Sequence, residues 1–165
     1  MKYLFIVALL AAVVLAGLVA CKNLTKQPMG GKPAPTGALV NFHYQESGTM
    51  AQPNFEYTLR RGEAGEVTLY AFRPFAEVEG WGDTLTVQPE VLDHVERLIK
   101  DNNLQNYKEH YQPKMEVMDG YGWSYEAVFD NGTRLHSGGS NARPSDGTLT
   151  TIAHYLDSIY QDARK

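Results

Sequence analysis

The stretch of sequence that decides the fold is WSYEAVFDNGTRLHS, residues 123–137. From Trp123 to Phe129 apolar and polar residues alternate, which is the period of a strand with one buried face. Asn131-Gly132 follows, a pair that favours a tight turn, and residues 133–137 lead back as a second strand. The stretch therefore predicts a β-hairpin, and hairpins indicate an antiparallel sheet.

Three more strands are predicted upstream of this hairpin. Residues 38–45 alternate with one apolar face, residues 55–59 continue that period, and the turn at 61–66 leads into a third strand. Residues 74–83 carry no regular pattern. The inward-facing positions are expected to be Val40, Phe42, Tyr44, Phe55, Tyr57, Leu59, Val67, Leu69 and Ala71.

Two amphipathic helices complete the pattern. The first is expected to begin at Gln88-Pro89 and to end at Asn102-Asn103, and the second to begin at Asp146 or Thr148. Their apolar stripes are Val91, Leu92, Val95, Leu98 and Ile99, and Leu149, Ile152, Ala153, Leu156, Ile159 and Tyr160. The order β-β-β-α-β-β-α predicts an α+β fold: an antiparallel sheet of about five strands with both helices on one face.

The domain is preceded by a polar segment rich in Pro and Gly. Residues 22–37 contain three of each and no acidic residue, which is typical of a flexible linker. We therefore expect Cys21 and its tether to occupy 21–37 and a single domain of the cell envelope to occupy 38–165.

The N-terminus has the pattern of an export signal: Lys2 precedes a long apolar run. That run ends in Leu18-Val19-Ala20-Cys21, which resembles the lipobox of bacterial lipoproteins. The resemblance implies that residues 1–20 are a signal peptide and that Cys21 carries the lipid. The alternative is an uncleaved membrane helix, since residues 3–20 give barely the ~20 residues that a span needs. It is disfavoured because a single Lys precedes the run and the run ends at the Cys motif. Lys22, in place of the Asp that retains such proteins in the inner membrane of enteric bacteria, favours the outer membrane facing the periplasm; surface display is the other option.

Composition excludes several classes of function. The chain has one cysteine, so once Cys21 is lipidated the domain has no thiol for a disulfide, a nucleophile or a zinc site. Residues 38–165 hold 11 basic and 19 acidic side chains, and the basic ones are dispersed. Nucleic-acid binding is therefore not expected, since it requires a basic stripe.

Catalytic and metal-binding motifs are not evident. The chain lacks the hydrolase, phosphate-loop and dinucleotide signatures, and its five histidines do not have the spacing of a metal-binding pair. No cofactor and no metal are expected. A hydrolase acting on cell-wall material remains an alternative, with His136 or His43 and a loop carboxylate. Glu77 and Glu79 with Asp83 could also supply two carboxylates for glycoside hydrolysis, but solvated loop charges are the favoured interpretation.

The candidate ligand-binding loop is residues 136–144, HSGGSNARP. His136, Ser140, Asn141 and Arg143 could bind a ligand, with Arg143 holding a carboxylate, and Trp81 is a further candidate. The structural alternative is that Gly138-Gly139 end the strand with positive φ, that Asn141 forms a turn and that Pro144 delays the helix.

The predicted function is a lipid-anchored, non-enzymatic binding module of the bacterial envelope. Its partners would be the membrane, through the anchor, and an envelope protein or other envelope component. A periplasmic inhibitor or immunity-type lipoprotein is a competing possibility.

Overall fold

The computed structural model describes residues 31–48, 53–73, 82–115, 117 and 120–165. The strands are β1 (Leu39–Ser47), β2 (Pro53–Arg61), β3 (Val67–Phe72), β4 (Asp83–Val87), β5 (His110–Tyr111), β6 (Gly122–Phe129) and β7 (Arg134–Ser140). The helices are α1 (Pro89–Asp101) and α2 (Thr148–Asp162), with a short 3-10 helix at Leu104–Asn106.

The strands form one sheet in the order β4-β3-β2-β1-β6-β7-β5. All neighbours are antiparallel except β5 and β7, which are parallel. The β6–β7 hairpin turns through Asp130, Asn131 and Gly132; Gly132 has φ 82°, and the backbone N–H of Phe129 donates to Thr133 O at 2.9 Å. The α+β class and both predicted hairpins are confirmed.

Two strands lie where the sequence pattern predicts none. β4 begins at the end of the stretch expected to be irregular, and β5 has only two residues. β4 was missed because its Thr84 and Thr86 leave a weak apolar alternation on an edge strand. In β1, the register shifts between Leu39 and Asn41, so Leu39 is fully buried in place of the predicted Val40.

The two helices pack side by side on one face of the sheet. The lower end of the sheet is defined here as the end where β1 begins, and the upper end as the end where β1 stops. α1 crosses the lower end: Asp93 pairs with Arg61 at 3.1 Å, and Glu96 accepts the Leu39 backbone N–H at 2.6 Å. α2 crosses the upper end and reaches β4, where the Tyr160 hydroxyl donates to Asp83 at 3.1 Å.

The core lies between the helices and the sheet and depends on aromatic residues. Among the described residues, seven aromatic side chains are buried there: Phe42, Tyr44, Tyr57, Trp123, Tyr125, Phe129 and Tyr160. Their polar atoms are bonded, as burial requires; the Tyr125 hydroxyl donates to Leu104 O at 3.0 Å, and Trp123 Nε1 donates to Ala142 O at 2.7 Å. In the described part of the chain, neither helix is long and apolar enough to cross a membrane.

The compact domain begins at Lys32, six residues before the boundary expected at 38. The Lys32 backbone N–H donates to Asn106 Oδ1 at 2.7 Å, Asn131 donates to the Thr36 hydroxyl at 2.9 Å, and Pro35 is buried. Residues 32–37 thus lie bonded to the domain although they have no regular secondary structure. Polar composition suggested a free tether there, but these bonds depend on residues distant in sequence.

Candidate functional site

An open cleft of about 580 Å³ lies at the upper end of the sheet. We call it the upper cleft; its lining residues are Glu46, Phe55, Tyr57, Arg73, Arg143, Thr150, Ala153, His154 and Asp157.

Antiparallel connectivity brings these residues together. β1 ends, β2 begins and β3 ends at the upper end of the sheet. Glu46, Phe55 and Arg73 are therefore neighbours although they are far apart in sequence. The α2 residues Thr150 and Asp157 are seven positions apart, two turns along one helix face. The β7–α2 loop contributes Arg143.

Tyr44, Glu46 and Arg143 form the first charged group of the upper cleft. Glu46 Oε1 accepts the Tyr44 hydroxyl and lies 3.1 Å from Arg143 Nη1. Arg143 Nε donates to the Tyr121 hydroxyl at 3.3 Å, and its guanidinium lies 4.7 Å from the centre of that ring. Burial, reinforced by Glu46, raises the pKa of Tyr44 far above its usual value, so its hydroxyl remains a donor.

Tyr57, Asp157 and Arg73 repeat this arrangement. Asp157 Oδ1 accepts the Tyr57 hydroxyl at 3.1 Å and lies 2.8 Å from Arg73 Nη1. Burial, followed by the charge of Asp157, raises the pKa of Tyr57. The cleft therefore has two carboxylates, each held between a tyrosine hydroxyl and a guanidinium.

The arginines are more exposed than their acidic partners. Side-chain exposure is 37% for Arg143 and 40% for Arg73, against 17% for Glu46 and 27% for Asp157. A molecule entering the cleft therefore meets the guanidinium groups more readily than the carboxylates.

A narrower recess of about 240 Å³ adjoins the upper cleft, and Arg143 and Thr150 line both. In the recess, Asp146 Oδ1 accepts the Tyr107 hydroxyl at 2.6 Å and the Thr148 backbone N–H at 2.9 Å. Burial raises the pKa of Asp146, but the bonds from Tyr107 and Thr148 outweigh it, so the pKa lies below its usual value. Asp146 thus accepts a backbone N–H from the first residue of α2, while Gly147 holds the N-cap position at φ 73°.

The predicted ligand loop is divided between different roles. Arg143 lies in the upper cleft, whereas Asn141 has φ 54° and its Oδ1 accepts the backbone N–H of Tyr121, 20 positions away in the chain, at 3.0 Å. Ser140 is the exposed last residue of β7, and Trp81 lies outside the described residues.

The expected role of Gly138-Gly139 is wrong, because both lie within β7 and neither has a positive φ. At Gly139 close packing requires glycine. A Cβ there would lie 2.6 Å from Ala142 O and 2.8 Å from Tyr111 O, both backbone atoms. Because Gly139 has no Cβ, the β7–α2 loop can pass directly over β7.

His136 lies away from the upper cleft, on the exposed side of β7. It lines a second opening of about 510 Å³, which we call the edge cleft, with Lys32, Leu104, Gln105, Tyr107, Glu109, Tyr125, Arg134 and Leu135. His136 Nε2 is 3.4 Å from Glu109 Oε1, and the two side chains are 64% and 83% exposed.

The other histidines do not converge on one centre. His43 contacts Thr58 at 3.0 Å and Glu56 at 3.6 Å on the sheet face opposite the helices. His154 is exposed and lines the upper cleft, and the His94 ring lies 4.5 Å from that of Tyr155. Among the described residues no three His, Cys, Asp or Glu are placed to hold a metal ion.

Sequence reasoning missed Glu46, Arg73 and Asp157, and assigned Phe55 and Tyr57 to the core alone. One signal was available: Glu46 and Arg73 are charged residues at strand ends that antiparallel pairing would place at one edge. Asp157 gave no such signal, because an acid in a helix is usually a solvated surface residue.

Comparison with known proteins gives no functional lead. No protein-family model matches the chain. No curated protein matches it either. The geometry of the clefts is therefore the basis for a functional proposal.

Proposed function

We propose that this chain is a lipid-anchored protein of the bacterial envelope whose domain binds an envelope component through the upper cleft without catalysing a reaction. The anchor rests on the lipobox-like Leu18-Val19-Ala20-Cys21. Lipidation at Cys21 would hold the domain at the membrane, since each buried methylene contributes about 0.8 kcal/mol and two or more chains anchor stably. We place it at the outer membrane, facing the periplasm.

One observation carries the binding role: the charged side chains of the upper cleft hold one another in fixed positions. Glu46 and Asp157 each accept from a tyrosine and pair with an arginine. Groups fixed in this way lose little rotamer freedom when a ligand binds, which favours recognition.

The same geometry gives little support for catalysis. A general base must reach the proton it removes, at about 3 Å in a plausible site. His43 and His136, the bases proposed for a hydrolase, lie on the open face of the sheet and on an exposed strand edge. His154 lies in the upper cleft, but within the described ranges it forms no hydrogen bond or ion pair with an acidic side chain.

Site-specific photo-cross-linking in intact cells tests both parts of the proposal. A photoreactive residue replaces Thr150, which lines the upper cleft, or its exposed neighbour Thr151, whose hydroxyl donates to Gly147 O at 3.2 Å. We expect a discrete adduct from position 150 and none from position 151. Adducts of equal yield at both positions, or none at 150, would contradict a binding role for the cleft.

The same experiment in a Cys21→Ser background tests the anchor. The variant should lose acyl labelling and leave the membrane fraction, because nothing replaces the lipid. If Cys21→Ser stays in the membrane fraction after a carbonate wash, the lipid anchor is wrong.

A further inference from the structure

Among the described residues, some hydrogen-bond donors of the two upper-cleft arginines have no partner. A guanidinium has five N–H groups. Arg143 uses Nη1 and Nε, and Arg73 uses Nη1. Nη2 of both arginines and Nε of Arg73 have no hydrogen-bond partner within the described ranges. Each arginine is thus positioned by its acid, while its other donors have no partner in the described part of the chain and lie in an open cleft.

Free guanidinium donors match a carboxylate best. Its two oxygens accept two parallel N–H bonds from one guanidinium, and such charge-assisted pairs are stronger than neutral hydrogen bonds. The partial neutralisation by Glu46 and Asp157 weakens this attraction, but both acids are the less exposed members of their pairs. Each acid also already accepts a tyrosine hydroxyl, which reduces its capacity to attract a cation.

Phe55 supplies an apolar surface beside these donors. Its ring is half-buried and lines the upper cleft between two tyrosines, with centroids 5.8 Å from Tyr44 and 5.7 Å from Tyr57. Packing on both sides fixes the ring, so it can receive an apolar or aromatic group at little entropic cost.

We infer that the upper cleft binds a ligand with a carboxylate next to an apolar group, the carboxylate on Arg143 and Arg73 and the apolar group on Phe55. The C-terminus of a peptide has this chemistry when its last residue is apolar, because the carboxylate and the side chain are bonded to the same α carbon. The inference rests on the proposed binding role of the cleft and adds the chemical class of the ligand.

Three probes of similar shape and different charge test the ligand class. N-acetyl-phenylalanine is an anion, its amide is neutral, and phenylalanine amide is a cation. Binding to the full lipidated protein in detergent micelles is measured by isothermal titration calorimetry. We expect the anion to bind at least about tenfold more tightly than the neutral amide, the effect of one charged hydrogen-bonded contact, and its binding to weaken with added salt.

Matched variants locate the effect. Arg143→Lys keeps the charge opposite Glu46 but removes the planar donor pair, so the anion should bind about tenfold more weakly. Arg73→Gln with Arg143→Gln should abolish its preference over the neutral amide. Arg134→Gln is the control, since it removes one arginine from the edge cleft. Circular dichroism and melting curves establish that each variant is folded.

Each outcome decides the inference. The carboxylate class is wrong if the neutral amide or the cation binds as tightly as the anion, if the anion does not bind, or if Arg134→Gln weakens it as much as Arg143→Lys. Should position 150 still cross-link in cells under any of those results, the binding role stands and only the ligand class fails. If cross-linking at 150 fails as well, the proposed function fails with it.

Discussion

The upper cleft and the edge cleft have similar volumes but hold their charged residues differently. In the upper cleft Asp157 is bonded to both Arg73 and Tyr57 and is 27% exposed. In the edge cleft Glu109 has only the 3.4 Å contact with His136 among its described side-chain contacts and is 83% exposed. Volume alone therefore does not indicate a binding site. The upper cleft is distinguished by charged side chains that are fixed and partly desolvated.

The origin of the difference is the position of each cleft in the fold. The upper cleft lies where three strands and α2 meet, so Asp157 of α2 is contacted by Tyr57 of β2 and by Arg73 at the end of β3. The edge cleft lies beside β7 where β5 pairs with only two of its residues, 138 and 139. Exposed charges at such an edge are screened by water and contribute little to stability.

Gly139→Ala should have the largest effect on this comparison. The added Cβ would collide with backbone oxygens of the β7–α2 loop and of β5, and we expect a loss of about 3 kcal/mol in the free energy of unfolding. The loop that carries Arg143 would shift, so ligand binding in the upper cleft should fall as well. Urea denaturation measures the change, with Ser140→Ala, at the exposed end of the same strand, as the control. Equal stability of the two variants would show that the close approach is not required.

Asp157→Ala and Glu109→Ala compare the two clefts directly. Removing Asp157 leaves the Tyr57 hydroxyl and the Arg73 guanidinium without their shared acceptor, which should cost about 2 kcal/mol. Removing Glu109 should change the free energy of unfolding by less than about 0.5 kcal/mol, as for most exposed positions. Chemical denaturation of both variants is the measurement. Similar costs for the two would remove the distinction between a fixed and a loosely held cleft.

Asp146→Asn should have a smaller effect than Asp157→Ala, and one that depends on pH. Because the folded state lowers the pKa of Asp146, its carboxylate stabilises the domain above the usual carboxyl pKa of about 3.9, and this contribution is lost as the pH falls below that value. Wild type should therefore be more stable than Asp146→Asn at neutral pH and lose that advantage in acid. Urea midpoints across this pH range test it; a difference that does not change with pH would mean that the charge of Asp146 contributes nothing.

Elements were predicted correctly where they depend on residues close together in sequence, and less well where they depend on contacts between distant residues. The β6–β7 hairpin and both helices were predicted because their signals are local: period, turn residues and caps. β4 was missed because an edge strand with two threonines has little apolar alternation to detect. The glycines of β7 were misassigned because the reason for Gly139 is a neighbouring backbone, which a single-sequence pattern does not contain.

The sequence by itself determined the α+β class, the two hairpins and, to within a residue or two, both ends of α1 and the start of α2, since all of these depend on neighbouring residues. The tertiary structure alone decided which charged side chains meet. Glu46, Arg73, Arg143 and Asp157 are spread over 111 positions, from the end of the first strand to the last helix. They come together because antiparallel pairing places several strand ends side by side at the upper end of the sheet, and α2 lies across that end. This is a consequence of packing rather than of local pattern.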